Sequence, residues 1–336
     1  MKAIRIETKD QVCLVDIPRP EPRDGDVLLK VRHVGLCGSD LANYRGLNPL
    51  ASYPRIPGHE IGGEIAAIGT NVPSAYTCGK RAIVVPYTSC GKCSSCRQGR
   101  VNACRDNRTL GVQQEGGLAD YIVLPHAKLI LNDTLPAAHL ALVEPLSVGF
   151  HAARRGRVTE KDIVVVLGTG MIGLGVVAGA AARGATVIAV DVTAEKAEAA
   201  HALGAAHAIA SADVTQAVAD LTGGHGADLV IEAVGTPETF TQAIDLVCFS
   251  GRVVYVGYAK EPVAYKTQLF NLKELDILGS RNALPEDFAA TIPYLEKLGA
   301  KADKLITKRF SIDNAAEAFP YWLEHRDATT KILIEC

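Results

Sequence analysis

The chain has 336 residues, 48% of them apolar, with 35 basic and 37 acidic side chains and a formal net charge of −2. That length accommodates two domains, and the near-neutral balance without a Lys/Arg stripe argues against a nucleic-acid-binding protein. No low-complexity run interrupts the chain and nothing at its N-terminus resembles a signal peptide, so the expected compartment is the cytoplasm, where cysteines stay reduced.

The first 130 or so residues read as strand-like and turn-rich. Ile4 and Ile6 alternate with Arg5 and Glu7, Val27 to Val34 is a mostly apolar run, and Pro18, Pro20 and Pro22 mark a turn between them. From residue 160 the pattern becomes a regular alternation: strand Ile163–Leu167, helix 171–183, strand Thr186–Val190 and helix Ala194–Leu203. Strand Asp228–Ala233, helix Pro237–Val247, strand Arg252–Val256 and strand Leu275–Leu278 follow. Strands interleaved with helices of this length imply an α/β fold, a doubly wound parallel sheet covered on both faces. A helix over Pro285–Leu298 and a last strand over Lys331–Ile334 break that rhythm, and the chain is expected to cross back there and complete the first domain. The uncharged stretch 163–182, with Gly175 and Gly179 spaced as in membrane helices, reads instead as a buried strand and helix. Its first part is short and β-branched, and Gly168, Gly170 and Gly173 break any continuous span.

Four of the nine cysteines stand close together as Cys90-x2-Cys93-x2-Cys96-x7-Cys104. Four thiolates at this spacing wrap one tetrahedral zinc with no open position, so this ion would be structural. Iron–sulfur runs have shorter final gaps and a following proline, whereas Arg105-Asp106-Asn107-Arg108 follows here.

Gly168-Thr169-Gly170-Met171-Ile172-Gly173 follows one predicted strand and opens a helix, and Asp191 ends the next strand. In this dinucleotide fingerprint Gly168 makes the tight turn, Gly170 lets the pyrophosphate approach and Gly173 allows close helix–strand packing. Asp191 would accept hydrogen bonds from the adenosine ribose and repel a 2′-phosphate, which favours NAD over NADP. A second mixed donor set, Cys37-Gly38-Ser39-Asp40 and Gly58-His59-Glu60, offers zinc a thiolate, an imidazole and a carboxylate and leaves one position free.

Cys37-Gly-Ser-Asp, Gly58-His59-Glu60, the cysteine lobe, Glu144-Pro145-Leu146-Ser147 and the glycine fingerprint, in this order, resemble the zinc-containing medium-chain dehydrogenase/reductases, on their sorbitol dehydrogenase-like branch. The resemblance implies a GroES-like β-rich catalytic domain (1–148 and 284–336, zinc lobe 86–106) and a Rossmann domain (149–283), in a cytoplasmic homo-oligomer, a tetramer or dimer. It also implies two zincs per chain and NAD. Cys37 and His59 would bind the catalytic zinc, Glu60 and Glu144 would reach it directly or through water, Asp40 would orient His59, and Ser39 would take the substrate hydroxyl proton. Met171, Ile172, Val234, Gly257 and Arg281 join the expected coenzyme contacts. One position departs from the pattern: Ala42 stands where relatives often carry a histidine that passes the proton outward.

The reaction implied is oxidation of a secondary alcohol by hydride transfer to NAD. Expected substrate contacts are Asn43, Arg45, Glu144, Arg281 and Asn282, a polar set suited to a small molecule with several hydroxyls. Ser280 to Phe288 also resembles the corresponding stretch of bacterial hexonate oxidoreductases such as those acting on L-galactonate. A sugar acid is therefore the leading substrate, a polyol the second and an L-threonine-type amino alcohol the third. An NAD(H)-sensing protein without chemistry would need an incomplete zinc site, and this one is complete.

Overall fold

A computed structural model describes residues 1–210 and 213–336, and the chain divides into two compact units, Met1–Glu144 with Leu295–Cys336, and Pro145–Tyr294. The first unit begins with a hairpin of β1 (Lys2–Thr8) and β2 (Gln11–Asp16), then β3 (Asp26–Leu36), α1 (Gly38–Tyr44), β4 (Glu60–Ile68) and β5 (Arg81–Val84). The cysteine lobe carries the short α2 (Ser94–Arg97), and β6 (Tyr121–Pro125), β7 (Leu129–Leu131) and α3 (Ala137–Arg155) follow.

The second unit is built from β8 (Ile163–Leu167), α4 (Met171–Ala181), β9 (Thr186–Val190), α5 (Ala194–Ala199), β10 (His207–Ile209), α6 (Val214–Leu221), β11 (Ala227–Glu232), α7 (Pro237–Leu246), β12 (Val247–Tyr255), α8 (Gln268–Leu272), β13 (Asp276–Gly279) and α9 (Pro285–Leu298). The last residues form β14 (Ile306–Ser311), α10 (Ala318–Glu324) and β15 (Lys331–Glu335).

The six strands of the second unit run in the order β10-β9-β8-β11-β12-β13, and every neighbouring pair is parallel. This is the doubly wound dinucleotide-binding order, and its direction reverses between β8 and β11. The strands are apolar throughout because both faces are covered: Val164, Val165 and Val166 are fully buried, as are Leu229, Val230 and Ile231. β12 starts five residues earlier than its apolar run predicts, at Val247 rather than Arg252. Ser250 in the left-handed region (φ 55°) and a register shift against β11 produce this irregular lead-in, which no alternation pattern announces.

In the first unit the sheet order is β14-β15-β3-β4-β5-β7, with β6 paired to β3. β15 lies antiparallel to β3 with Ile332 opposite Leu36, so the last strand runs beside the segment that leads into Cys37. Ile332, Leu333 and Ile334 are fully buried and lock that pairing by removing apolar surface from water. Among the described residues no helix is long and apolar enough to cross a membrane.

The start of α9 is held by a buried carboxylate. Asp287 Oδ2 accepts from the Leu284 amide (2.8 Å) and lies 2.8 Å from His151 Nδ1, while Arg154 Nε donates to Oδ1 (2.7 Å). Burial alone would raise this carboxyl, but hydrogen bonds from His151 and Arg154 outweigh it and hold the pKa at about 2. A depressed carboxyl pKa contributes stability above its unfolded value and loses it as pH falls through the folded one. Asp287→Asn should therefore cost about 2 kcal/mol at pH 7, a loss that shrinks from about pH 4 towards pH 2. Guanidinium unfolding at both ends of that window checks this, and a pH-independent loss would exclude the ion-pair account.

Candidate catalytic and coenzyme sites

Cys37 ends the run from β3 and caps α1, while His59 and Glu60 stand where the chain enters β4. Antiparallel pairing of β3 with β4 sets Gly35 opposite Glu60. Glycine at position 35 leaves the Glu60 carboxylate its place, because a Cβ there would lie 2.0 Å from Glu60 Oε2. One donor atom each from Cys37, His59 and Glu60 falls within 4.8 Å of the others. His59 Nδ1 and Glu60 Oε2 are both buried without a hydrogen-bond partner. A thiolate, an imidazole and a carboxylate that converge in a buried setting are a donor set that suits a zinc ion.

Asp40 works on the backbone of both ligand loops. Its Oδ2 accepts from the Cys37 amide (2.9 Å) and its Oδ1 from the Gly58 amide (3.1 Å). His59 Nδ1 is 3.8 Å from Asp40 Oδ1, beyond hydrogen-bond range, so the carboxylate places the histidine through its loop. Ser39 sits half-buried in the first turn of α1, with Ala42 one turn further on.

Two residues that the sequence reading did not single out complete the surroundings. Lys331, at the head of β15, is buried and donates to Glu60 Oε1 (2.6 Å) and to the Leu36 carbonyl (2.9 Å). Burial would lower the Lys331 pKa, but the charge and hydrogen bond of Glu60, together with the charges of Cys37 and Glu144, outweigh it and raise the pKa. Tyr87 donates its hydroxyl to Glu144 Oε1, and both side chains are buried. Burial pushes the Glu144 carboxyl up to about 7 against the pull of His59. Glu144 lies outside the group of three converging donors. A lone lysine heading an apolar strand was the available signal for Lys331. Tyr87, three residues before Cys90, had none.

The thiols of Cys90, Cys93, Cys96 and Cys104 also converge within 4.8 Å. Cys104 Sγ, fully buried, accepts from the amides of Cys90 and Asp106 at 3.3 Å each, and Cys90 Sγ accepts from the Cys93 amide at 3.3 Å. The Ser95 hydroxyl, with backbone amides, draws the Cys93 thiol down to about 5. Amide donors around sulfur favour the thiolate form that a metal needs.

In the second unit the fingerprint turn opens α4, whose first helical residue is Met171, buried, followed by a half-buried Ile172. A Cβ on Gly173 would lie 1.8 Å from the Gly168 carbonyl oxygen, whereas one on Gly170 would meet nothing within 4 Å, which leaves that approach open to a ligand. Asp191 is pinned against the turn: its Oδ2 accepts from Thr169 N (2.6 Å) and Thr169 Oγ1 (2.8 Å), and its Oδ1 from Val192 N (2.8 Å). Arg281 and Asn282 follow β13 after Ser280 and are half-buried, with Asn282 at φ 52°. Of the other expected substrate contacts, Asn43 is fully buried, its Nδ2 donating to Gly111 O (3.0 Å) and its Oδ1 accepting from Asn48 (2.8 Å). Arg45 is paired with Asp10 at 3.2 Å.

These geometries set two expectations. Lys331→Met leaves a buried carboxylate uncompensated and should destabilise the metal-free protein by about 3–5 kcal/mol. The loss should be smaller once zinc takes over the Glu60 charge; equal losses in thermal unfolding with and without zinc would contradict the charge argument. Cys104→Ser should lower bound zinc from about two ions per chain to about one by elemental analysis, leaving the other site filled.

Two family descriptions match the chain: an alcohol dehydrogenase GroES-like domain over residues 23–134 and a zinc-binding dehydrogenase over residues 172–297. The chain is 35% identical to L-galactonate-5-dehydrogenase of Escherichia coli K12 across 89% of this chain and 88% of that one. It is 31% identical to sorbitol dehydrogenase of Bacillus subtilis, across 99% and 97%. A crystal structure of an alcohol dehydrogenase, rspB, from Escherichia coli CFT073 with cofactor NADH superposes with a TM-score of 0.92 at 33% identity, covering 100% of this chain and 99% of that one. Zinc and NAD are the cofactors, and the reaction is a dehydrogenation at a CH–OH group. The chain belongs to the zinc-containing medium-chain dehydrogenase/reductase superfamily, on its sorbitol dehydrogenase-like branch.

Proposed function

We propose that this enzyme oxidises a secondary alcohol of a sugar acid of the hexonate class, with L-galactonate as the reference substrate and NAD preferred over NADP. The observation that carries the reading is the convergence of one donor atom each from Cys37, His59 and Glu60 within 4.8 Å of one another. Similarity to an L-galactonate dehydrogenase supports the substrate class. When bound, zinc supplies Lewis acidity and the nicotinamide ring a hydride acceptor.

Each side chain then has a task. Cys37, His59 and Glu60 would hold the ion. Asp40 fixes both ligand loops through their amides. Ser39 accepts the proton released from the substrate hydroxyl, and with Ala42 in place of a relay histidine that proton leaves through water or a ribose hydroxyl. Glu144, oriented by Tyr87, accepts from a neighbouring substrate hydroxyl. Arg281 pairs with the substrate carboxylate in this reading, with Arg45, which faces Asp10 at a half-exposed position, as the alternative. Asp191 selects NAD by repelling a 2′-phosphate. Residues 1–148 with 284–336 form the catalytic domain of this reading and 149–283 the coenzyme domain, in a cytoplasmic homo-oligomer.

A polyol substrate is the second reading, favoured by the likeness to a sorbitol dehydrogenase and by the commitment of Arg45 to Asp10. Following NADH absorbance with hexonates, hexitols, pentitols and simple alcohols separates the two. Turnover of an aldonate but not of its parent polyol is the expected result. Arg281→Met should then raise the aldonate KM by about tenfold or more, the size of one lost charge-assisted hydrogen bond, and leave kcat at saturating aldonate within about twofold. Turnover of polyols alone would overturn the sugar-acid assignment.

A further inference from the structure

We propose that Glu232 is a positioning residue for NAD, holding in one arrangement the loop that the second unit presents at the reversal point of its sheet. The inference rests on the assignment of that unit as NAD-binding. Glu232 ends β11, flanked in register by Leu167 of β8 on one side and Tyr255 of β12 on the other. It is fully buried, which is rare for a glutamate unless its oxygens are occupied. Its Oε1 accepts three hydrogen bonds: from Val234 N (2.8 Å), Gly235 N (2.7 Å) and Thr239 Oγ1 (2.8 Å). Its backbone carbonyl accepts two more, from Val256 N (2.9 Å) and Gly257 N (3.2 Å).

The residue thus ties together the ends of two strands, the turn 233–236 and the first turn of α7. Thr239 doubles the tie, since it also closes a capping box with Thr236 at the start of that helix. The turn held in this way reaches the fingerprint itself. Val234, half exposed, packs so closely that a Cβ on Gly168 would lie 2.6 Å from its Cγ2. The second carboxylate oxygen, Oε2, is buried with no partner and points at Gly257, where a Cβ would lie 2.5 Å from it. Only glycine at 257 leaves room for the carboxylate to stay in place.

Between β8 and β11 the strand order reverses, and dinucleotides bind outside the carboxyl ends of strands at such a point. The turn 233–236 has no regular hydrogen bonding of its own. Its two free amides and its helix cap are gathered onto one acceptor, and without that acceptor Val234 would lose its fixed place over Gly168. The role needs the Oε1 acceptor rather than the negative charge, because every ligand of the carboxylate is a neutral N–H or O–H.

NADH binding to the zinc-loaded enzyme, followed by fluorescence titration, tests this together with steady-state kinetics on any alcohol the enzyme turns over. Glu232→Ala should raise the NADH Kd and the NAD KM about tenfold, while zinc content, alcohol KM and kcat at saturating NAD stay within about twofold. Glu232→Gln, which keeps the acceptor, should bind NADH within about twofold of the parent. Should Glu232→Ala fail to fold, Thr239→Val, which removes one of the three donors, should still raise the Kd by a few-fold. An unchanged NADH Kd in Glu232→Ala or Thr239→Val overturns the proposal, as does an equal loss in Glu232→Gln. Failure of the parent enzyme to bind NADH would instead overturn the coenzyme assignment on which the proposal stands.

Discussion

The catalytic half of this protein is organised around a negative charge that water does not reach. Glu60 lies fully buried, and its compensating cation, Lys331, is 271 residues away in sequence and equally buried. Neither ion is tolerable there alone, because desolvating an unpaired carboxylate or ammonium costs several kcal/mol. The pair therefore exists only if β15 has docked on β3, which sets Ile332 opposite Leu36 and the Lys331 ammonium beside the ligand loop. Completion of the sheet and completion of the site are a single event. The three fully buried aliphatic residues after Lys331 supply the driving force that keeps the lysine in place.

Acceptors outnumber donors around that pair. Lys331 satisfies one oxygen of Glu60, the Tyr87 hydroxyl satisfies one of Glu144, and the Cys37 and Gly58 amides occupy both oxygens of Asp40. What stays unmatched is Glu60 Oε2 and His59 Nδ1, next to a cysteine. A divalent cation with affinity for sulfur, nitrogen and oxygen together is the group that balances this inventory, and a monovalent cation or a further proton would leave the thiolate unused. The cysteine lobe reaches the same end differently. Cys90 and Cys104 accept from local amides and Cys93 meets the Ser95 hydroxyl, so these thiols need no distant partner.

How much of this was legible in the sequence follows from how local each cause is. The alternation of β8, α4 and β9 was readable to within two residues because short apolar strands, a glycine turn and a helix each leave a contiguous trace. The cysteine quartet and the Cys37, His59 and Glu60 motifs were readable because ligand chemistry restricts residue type at fixed spacing. Tyr87 was not, since its role arises from pairing across the fold, and Lys331 left only the faint trace of a lone lysine heading an apolar strand, whose partner the sequence does not show. α3 and the lead-in of β12 escaped for a related reason. Pro145 inside α3 reads as a helix breaker, and Ser250 with Gly251 as a turn, although tertiary packing overrides both.

The second unit meets a different problem with the same chemical tool. A parallel sheet satisfies its own backbone along the strands, but the turns at its carboxyl edge, where a dinucleotide must lie, have amides with no strand to pair with. Asp191 accepts from the amides of Thr169 and Val192, Glu232 from those of Val234 and Gly235, and Asp287 from that of Leu284. Carboxylates suit this position because one oxygen accepts several N–H groups at once, where a carbonyl rarely takes more than two. The catalytic unit derives its precision from strand pairing, which the ion pair then reports. The coenzyme unit derives its precision from side chains at strand ends, so its turns stay close to glycine and open to a ligand while their geometry is fixed from beneath.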